Sequence, residues 1–268
     1  MPDLERPLLD SSGPITTLQA PDHWQHIELL SDLHLSEATP RTVDALLRWL
    51  KASRADAILL LGDIFEVWVG DDAALPGSFE HDVLTAIAAS TQGRWIGFMP
   101  GNRDFLVGPH ALALVGAHAL PDPMCLSAWQ HRWLLTHGDA LCQSDTAYQA
   151  FRQQVRDPAW QAGFLAQPLA QRIDAGRRMR EASQIHQAMR PSETYADVDV
   201  EASSRWLSTA GANELIHGHT HRPSSGPWGS DARRHVLSDW DFEGPLKRGD
   251  VLSLSPVGVQ RRRAADAP

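Results

Sequence analysis

An α/β fold with much of its sheet parallel is the class this 268-residue sequence predicts, on three observations. Short apolar runs recur along the chain and stop at polar, Gly or Pro clusters, as buried strands do. The segments between them carry apolar residues at helical spacing. Five of the runs end in a side chain able to ligate a metal ion, and ligands of α/β folds sit outside the carboxyl ends of strands.

Taken in order, residues 1–25 lack periodicity and contain Ser11-Ser12-Gly13-Pro14, which predicts an irregular N-terminal extension. Ile27 to Leu30 reads as the first strand and runs into Ser31-Asp32-Leu33-His34. Val43, Leu46, Leu47 and Leu50 then fall on one helical face. Ala57 to Leu61 runs into Gly62-Asp63, and Val83, Ile87 and Ala88 mark the next helix. Trp95 to Met99 ends at Pro100-Gly101-Asn102-Arg103-Asp104. Trp133 to Thr136 ends at His137-Gly138-Asp139, and Leu215-Ile216 at His217-Gly218-His219-Thr220-His221. His235 to Asp239 and Asp250 to Leu254, parted by Gly244-Pro245, are expected to be antiparallel edge strands completing a second sheet. Arg261-Arg262-Arg263 opens an expected basic polar tail over 261–268, leaving one domain over 26–260.

Residues 144–190 break this rhythm. They hold no strand-like run but several helical ones: Ala147, Phe151 and Val155; Trp160 and Phe164 behind the capping pair Asp157-Pro158; Leu169 and Ile173 behind Pro168; Ile185 and Met189. An all-helical insertion covering the strand ends is expected. Between residues 145 and 190 it has seven Arg, no Lys and four acids, a net charge of +3 in a chain of −9. A basic lid over an acidic, metal-holding body suits a negatively charged substrate.

Composition narrows the classes. With 43% hydrophobic and 21% charged residues, disordered, collagen-like and coiled-coil readings fall away. No apolar run approaches the roughly 20 residues of a membrane-spanning helix. Met1-Pro2-Asp3-Leu4-Glu5 is unlike a signal peptide, so a soluble intracellular protein is expected. The net charge of −9 argues against nucleic acid as a partner. Cys125 and Cys142 are too few for a disulfide scaffold or a four-cysteine zinc site.

The candidate ligands are Asp32, His34, Asp63, Asn102, His137, His219 and His221. A mixed oxygen and nitrogen set suits manganese, iron or zinc better than magnesium or calcium. Seven residues exceed one mononuclear site and suit two ions sharing a carboxylate. Two such ions about 3.5–4 Å apart generate a hydroxide and clamp the oxygens of an in-line displacement at phosphorus. Each motif alone is more often a turn or a surface histidine. Turn chemistry does not explain five of them at five strand ends.

Asp32-x-His34, Gly62-Asp63, Gly101-Asn102, His137-Gly138 and Gly218-His219-x-His221 resemble, in order, the signature of the calcineurin-like metallophosphoesterases. The resemblance spans about 31 to 223 and implies a two-sheet α/β sandwich flanked by helices. It implies Asp32, His34 and His221 on one ion, Asn102, His137 and His219 on the other, and Asp63 bridging. Where many members have His after the Gly-Asn pair, Arg103 stands. Arg cannot shuttle a proton at neutral pH but neutralises charge on a phosphoryl oxygen, which suits a leaving group that departs unprotonated.

At finer grain, Leu60-Leu61-Gly62-Asp63-Ile64-Phe65-Glu66, Gly101 to Phe105, His137-Gly138-Asp139, Tyr148 to Arg152 and His217 to Pro223 are similar to the UDP-2,3-diacylglucosamine diphosphatase family of lipid A biosynthesis. That resemblance implies hydrolysis of the pyrophosphate of UDP-2,3-diacylglucosamine to UMP and 2,3-diacylglucosamine 1-phosphate. It also implies two Mn²⁺ ions, peripheral contact with the cytoplasmic face of the inner membrane, and an insertion that houses the acyl chains. Phe151, Val155, Trp160, Phe164, Leu165, Leu169, Ile173, Met179, Ile185 and Met189 supply apolar side chains for it. Family substrate contacts map onto Asn102, Arg103, Asp145, Ser183, Gln187, Arg190 and His219, with Arg103 and His219 steadying the transition state. Gln187 stands where the family shows Asn, and Arg190 where it shows Lys. The rivals are a phosphoesterase for other nucleotides or phosphoproteins, a scaffold that keeps the fold without turnover, and, more weakly, a nuclease. The apolar insertion argues against the first, the complete ligand set against the second, and the acidic body against the third.

Overall fold

The computed structural model describes residues 7–188 and 196–266. Two sheets pack face to face with helices on the outside. The six-stranded sheet contains β3 (Ile27–Leu30), β4 (Ala57–Leu61), β5 (Trp95–Met99) and β6 (Ala117–Ala119), all parallel, extended by β12 (Asp250–Ser255) and β13 (Gly258–Arg263) antiparallel at one edge, in the order β13-β12-β3-β4-β5-β6. The seven-stranded sheet contains β1 (Leu8–Asp10), β2 (Thr17–Gln19), β7 (Met124–Ala128), β8 (His131–Thr136), β9 (Glu214–His217), β10 (Ser224–Trp228) and β11 (Ala232–Val236), in the order β1-β2-β7-β8-β9-β11-β10.

Strands β4 and β5, at the middle of the parallel run, read as unbroken apolar stretches because both of their faces are covered. Leu29, Ala57, Leu59, Leu61 and Met99 point between the sheets and meet Leu126, Trp133, Leu135 and Ile216. The alternate residues Leu30, Ile58, Leu60, Ile96 and Phe98 point outward, under α1 (Pro40–Ala52), α2 (Phe79–Ser90) and α3 (Pro109–Val115). On the far side Cys125, Leu134 and Leu215 pack beneath α7 (Val200–Ala210). Each fully buried Leu or Ile contributes on the order of 1.5–3 kcal/mol relative to exposure. A charge at Leu59, in the middle of the parallel sheet, would be among the most damaging single changes.

The helices start where local chemistry favours it. Pro40 opens α1, whose Ala45, Leu46, Trp49 and Leu50 are buried. Ser78 caps α2 by accepting from the His81 N–H at 3.2 Å, and Asp199 caps α7 by accepting from that of Ala202 at 2.7 Å. Between β8 and α7 lie α4 (Thr146–Val155), α5 (Pro158–Leu165) and α6 (Leu169–Ala188). Asp145 and Asp157 cap the first two, Pro158 opens α5, and Pro168 precedes α6.

Four sequence expectations change. The extension over 1–25 is not irregular throughout: Thr17–Gln19 adds as a parallel strand to Cys125–Ser127, and Leu18 is fully buried. Leu8–Asp10 pairs with Thr17–Gln19 antiparallel on its other side, but the strand that joins both to the sheet lies over a hundred residues away, where local composition carries no sign of it. Arg261, Arg262 and Arg263 are not tail but strand. Arg261 pairs with Asp250 at 2.7 Å, and Arg262 lies 4.9 Å over the Trp49 ring. The strand expected over 235–239 is β11, which ends at Val236, is parallel to β9 and lies one place in from the edge. The strand at 250–255 belongs to the other sheet and sits inside β13.

Candidate metal centre

The carboxyl ends of β3, β4 and β5 and those of β8 and β9 meet at one rim of the sandwich. Asp32 and His34 follow β3, Asp63 follows β4, Asn102 follows β5, His137 follows β8, and His219 and His221 follow β9. All seven candidate ligands come together there. Asp32, His34 and His221 hold ligand atoms within 4.8 Å of one another, and so do Asp32, Asp63 and His137. Asn102 Oδ1 lies 3.0 Å from His137 Nε2 and 2.9 Å from His219 Nδ1, which joins the remaining two to the cluster. Asp32 belongs to both carboxylate-histidine groups, whereas Asp63 belongs to one of them.

The backbone there is unusual. Asp32, His34, Asp63, His219 and His221 all have positive φ, from 48° to 64°. Non-glycine residues in this region are uncommon, cost of order 1–3 kcal/mol each, and cluster at functional sites. Two glycines make the close approach possible. A Cβ on Gly101 would land on the Asp63 carboxylate and backbone, and one on Gly218 on the Asp32 carboxylate and the Ser31 side chain. Their place in the Gly-x motifs therefore reflects crowding around the carboxylates as well as turn geometry.

The donor chemistry fits a cation. His137 Nδ1 lies 2.9 Å from the Leu61 carbonyl, so its N–H donates there and Nε2 is left as a lone-pair acceptor. That Nε2 faces two more acceptors, Asn102 Oδ1 at 3.0 Å and Asp63 Oδ1 at 3.6 Å. Likewise His34 Nε2 and His221 Nε2 face each other at 3.2 Å, with Asp32 Oδ1 3.4 Å from the latter. Acceptors turned on acceptors need a cation or a proton between them.

Without a cation, the electrostatics place a proton there. Burial opposes charge on His137, but Asp63, Asp32 and Asp139 outweigh it and push its pKa up to about 9. Burial would raise Asp32, yet the His221 hydrogen bond and the neighbouring imidazoles hold it well below the carboxylate range. His34 and His219 are pushed down to about 4, burial leading in both, which keeps them neutral and able to ligate.

Around this rim the structure adds residues that the motif reading left without a role. Asp104 is fully buried and accepts backbone N–H bonds from Ile64 at 2.7 Å, Gly101 at 2.8 Å and Asp63 at 3.2 Å, tying the β4 and β5 ends together. Burial, then the charge of Asp63, pushes its pKa up to about 6 against those N–H donors. Arg103 consequently lies not on Asp104 but beside Asp63, with Nε 4.0 Å from Oδ2. Asp139, also fully buried, accepts from Tyr148 Oη at 2.6 Å and Arg152 Nε at 2.8 Å. Those two residues sit one turn apart on α4, so they anchor that helix to the end of β8. The Tyr148 ring lies 5.8 Å from that of His219. A buried aspartate beside a motif residue is a signal the sequence held, but only burial shows its use.

Four arginines of the helical segment, Arg152 among them, are engaged in docking, whereas Arg177 and Arg178 pair with Asp174 on their own helix. Arg172, 2% exposed, bonds the Val69 carbonyl and pairs with Asp72; Arg156 donates to the Gly101 carbonyl at 2.8 Å; Arg180 pairs with Glu66. Body acids thus neutralise Arg152, Arg172 and Arg180, which removes part of the expected positive field over the site. Beside the candidate ligands opens a chamber of about 340 Å³. Asn102, Arg103 and Glu66 line one part of it, and Phe105, Trp160 and Phe164 are among its apolar walls. Phe151 and Met179 also line it, whereas Val155 is buried and Leu165 and Ile173 face outward. Of the expected substrate contacts, Asp145 caps α4; the side chains of Ser183 and Gln187 and the whole of Arg190 lie outside the described residues, as do the Ile185 side chain and Met189.

Residues 26–223 match the profile of the calcineurin-like phosphoesterase family. The chain belongs to that family. Within it, the chain is 41% identical over 248 residues to a protein named UDP-2,3-diacylglucosamine hydrolase from Xanthomonas oryzae pv. oryzae, covering 88% of this chain and 98% of the other. It is 42% identical over 234 residues to a protein of the same name from Stenotrophomonas maltophilia, covering 83% and 94%. A solved phosphoesterase from E. coli aligns at 13% identity and a TM-score of 0.45, covering 91% of this chain and 95% of that one. The calcineurin-like phosphoesterases are hydrolases, and this member carries the residues for a divalent metal centre. Among the described residues no helix is long and apolar enough to cross a membrane.

Proposed function

We propose that the chain hydrolyses the pyrophosphate bond of UDP-2,3-diacylglucosamine, releasing UMP and 2,3-diacylglucosamine 1-phosphate. One observation carries the reading: an apolar chamber opens directly onto Asn102 and Arg103, beside the clustered ligands. A small polar phosphoester needs no such chamber; a diacylated sugar does. The relatives named for this substrate support it across most of the chain.

In this reading the cofactor would be two Mn²⁺ ions, with Asp32, His34 and His221 to hold one, Asn102, His137 and His219 to hold the other, and Asp63 a ligand shared by the centre. When bound, such a pair supplies a hydroxide at neutral pH and neutralises phosphoryl charge. The chain's own groups do the rest. Asn102 and the Arg103 guanidinium, at the chamber's polar end, bind the diphosphate. Arg103 offsets the charge that develops on the leaving phosphate, which departs without a proton. His219, backed by the Tyr148 ring, faces the same oxygens. Residues 144–190 act as a lid insertion of one domain, with Asp145, Ser183, Gln187 and Arg190 on the sugar and phosphate and Phe151, Trp160 and Phe164 around the acyl chains. The enzyme works in the cytoplasm, in peripheral contact with the inner membrane. The exposed Leu165 and Ile173 support that contact.

The test is hydrolysis of UDP-2,3-diacylglucosamine by metal-stripped protein with Mn²⁺ restored, beside Asp63→Ala and a deacylated UDP-sugar. Turnover of the acylated substrate alone, lost in the variant, is expected. Equal turnover of the deacylated sugar would refute the chamber's role, and no turnover of either would refute the activity.

A further inference from the structure

Because His34 and His221 meet through Nε2, each ring turns its Nδ1 away from the centre, and behind each stands a carboxylate. Glu66 Oε2 lies 3.2 Å from His34 Nδ1, and Asp239 Oδ2 lies 4.0 Å from His221 Nδ1. His34 Nδ1 is buried and makes no hydrogen bond of good angle, so the Glu66 carboxylate is the acceptor within its reach. An arginine stands against each carboxylate in turn: Arg180 forms an ion pair with Glu66, and Arg248 is hydrogen-bonded to Asp239 at 2.6 Å. A carboxylate behind a ligating imidazole fixes the Nδ1–H tautomer and aims the Nε2 lone pair at the metal.

The two arrangements differ in where the arginine comes from. Asp239 and Arg248 both lie in the body, between β11 and β12. Glu66 also belongs to the body: its N–H donates to the Leu35 carbonyl at 3.0 Å, which holds the stretch after β4 against the one after β3. Arg180, however, projects from α6, in the helical segment. Glu66 and Arg180 both line the chamber, where a bound substrate would meet them.

We propose that Glu66 is a positioning residue for His34, and that Arg180 makes its hold depend on the docking of α6, so that the helical insertion sets how tightly one metal position is filled. This rests on the metal centre read above. Neither residue needs to touch reacting atoms to act in this way.

The experiment is Mn²⁺ binding to the metal-free, full-length protein, followed by the electron paramagnetic resonance of free Mn²⁺. Wild type, Glu66→Ala, Glu66→Gln and Arg180→Ala are compared, and each metal-free variant is melted to confirm its fold. Wild type is expected to take up two ions. Glu66→Ala is expected to weaken one of them roughly 10–100-fold and leave the other unchanged. Glu66→Gln, which still accepts from Nδ1–H, should fall between. Arg180→Ala should weaken the same ion by less. Unchanged Mn²⁺ affinity in Glu66→Ala, with turnover lost, would overturn the positioning role in favour of a substrate contact; equal weakening of both ions would overturn it as general damage. Should Glu66→Ala not fold, Glu66→Gln decides on the same terms. An effect in the Glu66 variants without one in Arg180→Ala would overturn the coupling to α6. No uptake by wild type would instead refute the metal centre, a separate failure.

Discussion

Asp139 is where the helical segment is fastened most directly to the metal-binding rim, and Tyr148→Phe tests that fastening with least disturbance. Asp139 is fully buried, and both donors reach the same oxygen: Tyr148 Oη at 2.6 Å and Arg152 Nε at 2.8 Å, while Oδ1 makes no hydrogen bond among the described residues. Phenylalanine keeps the ring and its contact with His219, so only one bond is lost and no cavity forms. A hydrogen bond to a charged group contributes about 1.5–3 kcal/mol, and a loss of about 2 kcal/mol is expected here. For a chain of this size that lowers Tm by roughly 4–8 °C. Arg152→Ala should cost more, about 3–5 kcal/mol, because it leaves a buried carboxylate short of its counter-charge. The two losses should not add, since both act through one oxygen. The assay is calorimetric melting of the four proteins of the double-mutant cycle in metal-free buffer. A Tyr148→Phe protein that melts with the wild type, or a strictly additive double variant, would refute the argument that this oxygen holds α4 in place.

Other expectations follow from the same geometry. Gly218→Ala pushes a methyl group onto the Asp32 carboxylate, and a displacement of about 1 Å there should lower turnover about 10²-fold with the circular dichroism spectrum retained; wild-type turnover would contradict the crowding argument. Chelation should abolish hydrolysis, and restoring Mn²⁺ at about 100 times its Kd should add about 2.7 kcal/mol of stability, read as a higher Tm; an unchanged Tm would count against a metal bound by the folded state. Burial pushes the Cys142 thiol up to about 12 and that of Cys125 upward as well, so neither should be alkylated at neutral pH until denaturant is added, as mass spectrometry would show. Glu214 is held below its ordinary value of 4.5, foremost by its hydrogen bond with His235, against burial. A depressed carboxylate contributes stability that is present above pH 4.5 and lost as pH falls through the lower folded value, so Glu214→Gln should flatten the acid side of the stability profile.

The parts of this protein legible in sequence are those where short-range pattern and long-range packing coincide. Strands β3, β4 and β5 are parallel and buried on both faces, so they appear as apolar runs, broken only at Glu28, which accepts from Trp49 and Ser53. Their ligands follow at once, because the site lies at their carboxyl ends. β8 and β9 show themselves the same way, although nothing in their residues says that they belong to the other sheet. Thr17–Gln19 joins the sheet only because Cys125–Ser127 offers it an edge, and Ala232–Val236 has a parallel neighbour only because Glu214–His217 lies beside it. Asp104 and Asp139 look like ordinary turn acids, and what separates them is complete burial among donors from other elements. Arg172, Arg180 and Arg152 read as free positive charge because their partners, Asp72, Glu66 and Asp139, lie elsewhere in the chain.

Asp32, His34, Asp63 and Asn102 extend from one sheet, and His137, His219 and His221 from the other. An ion held among them is thus a rivet through the two leaves of the sandwich, resisting any slide of one across the other. A chain with either sheet formed alone would offer only half a coordination sphere, so tight binding would report that the leaves had closed in register. Slower amide exchange on adding metal should then appear together in β4 and β8, two strands that share no hydrogen bond.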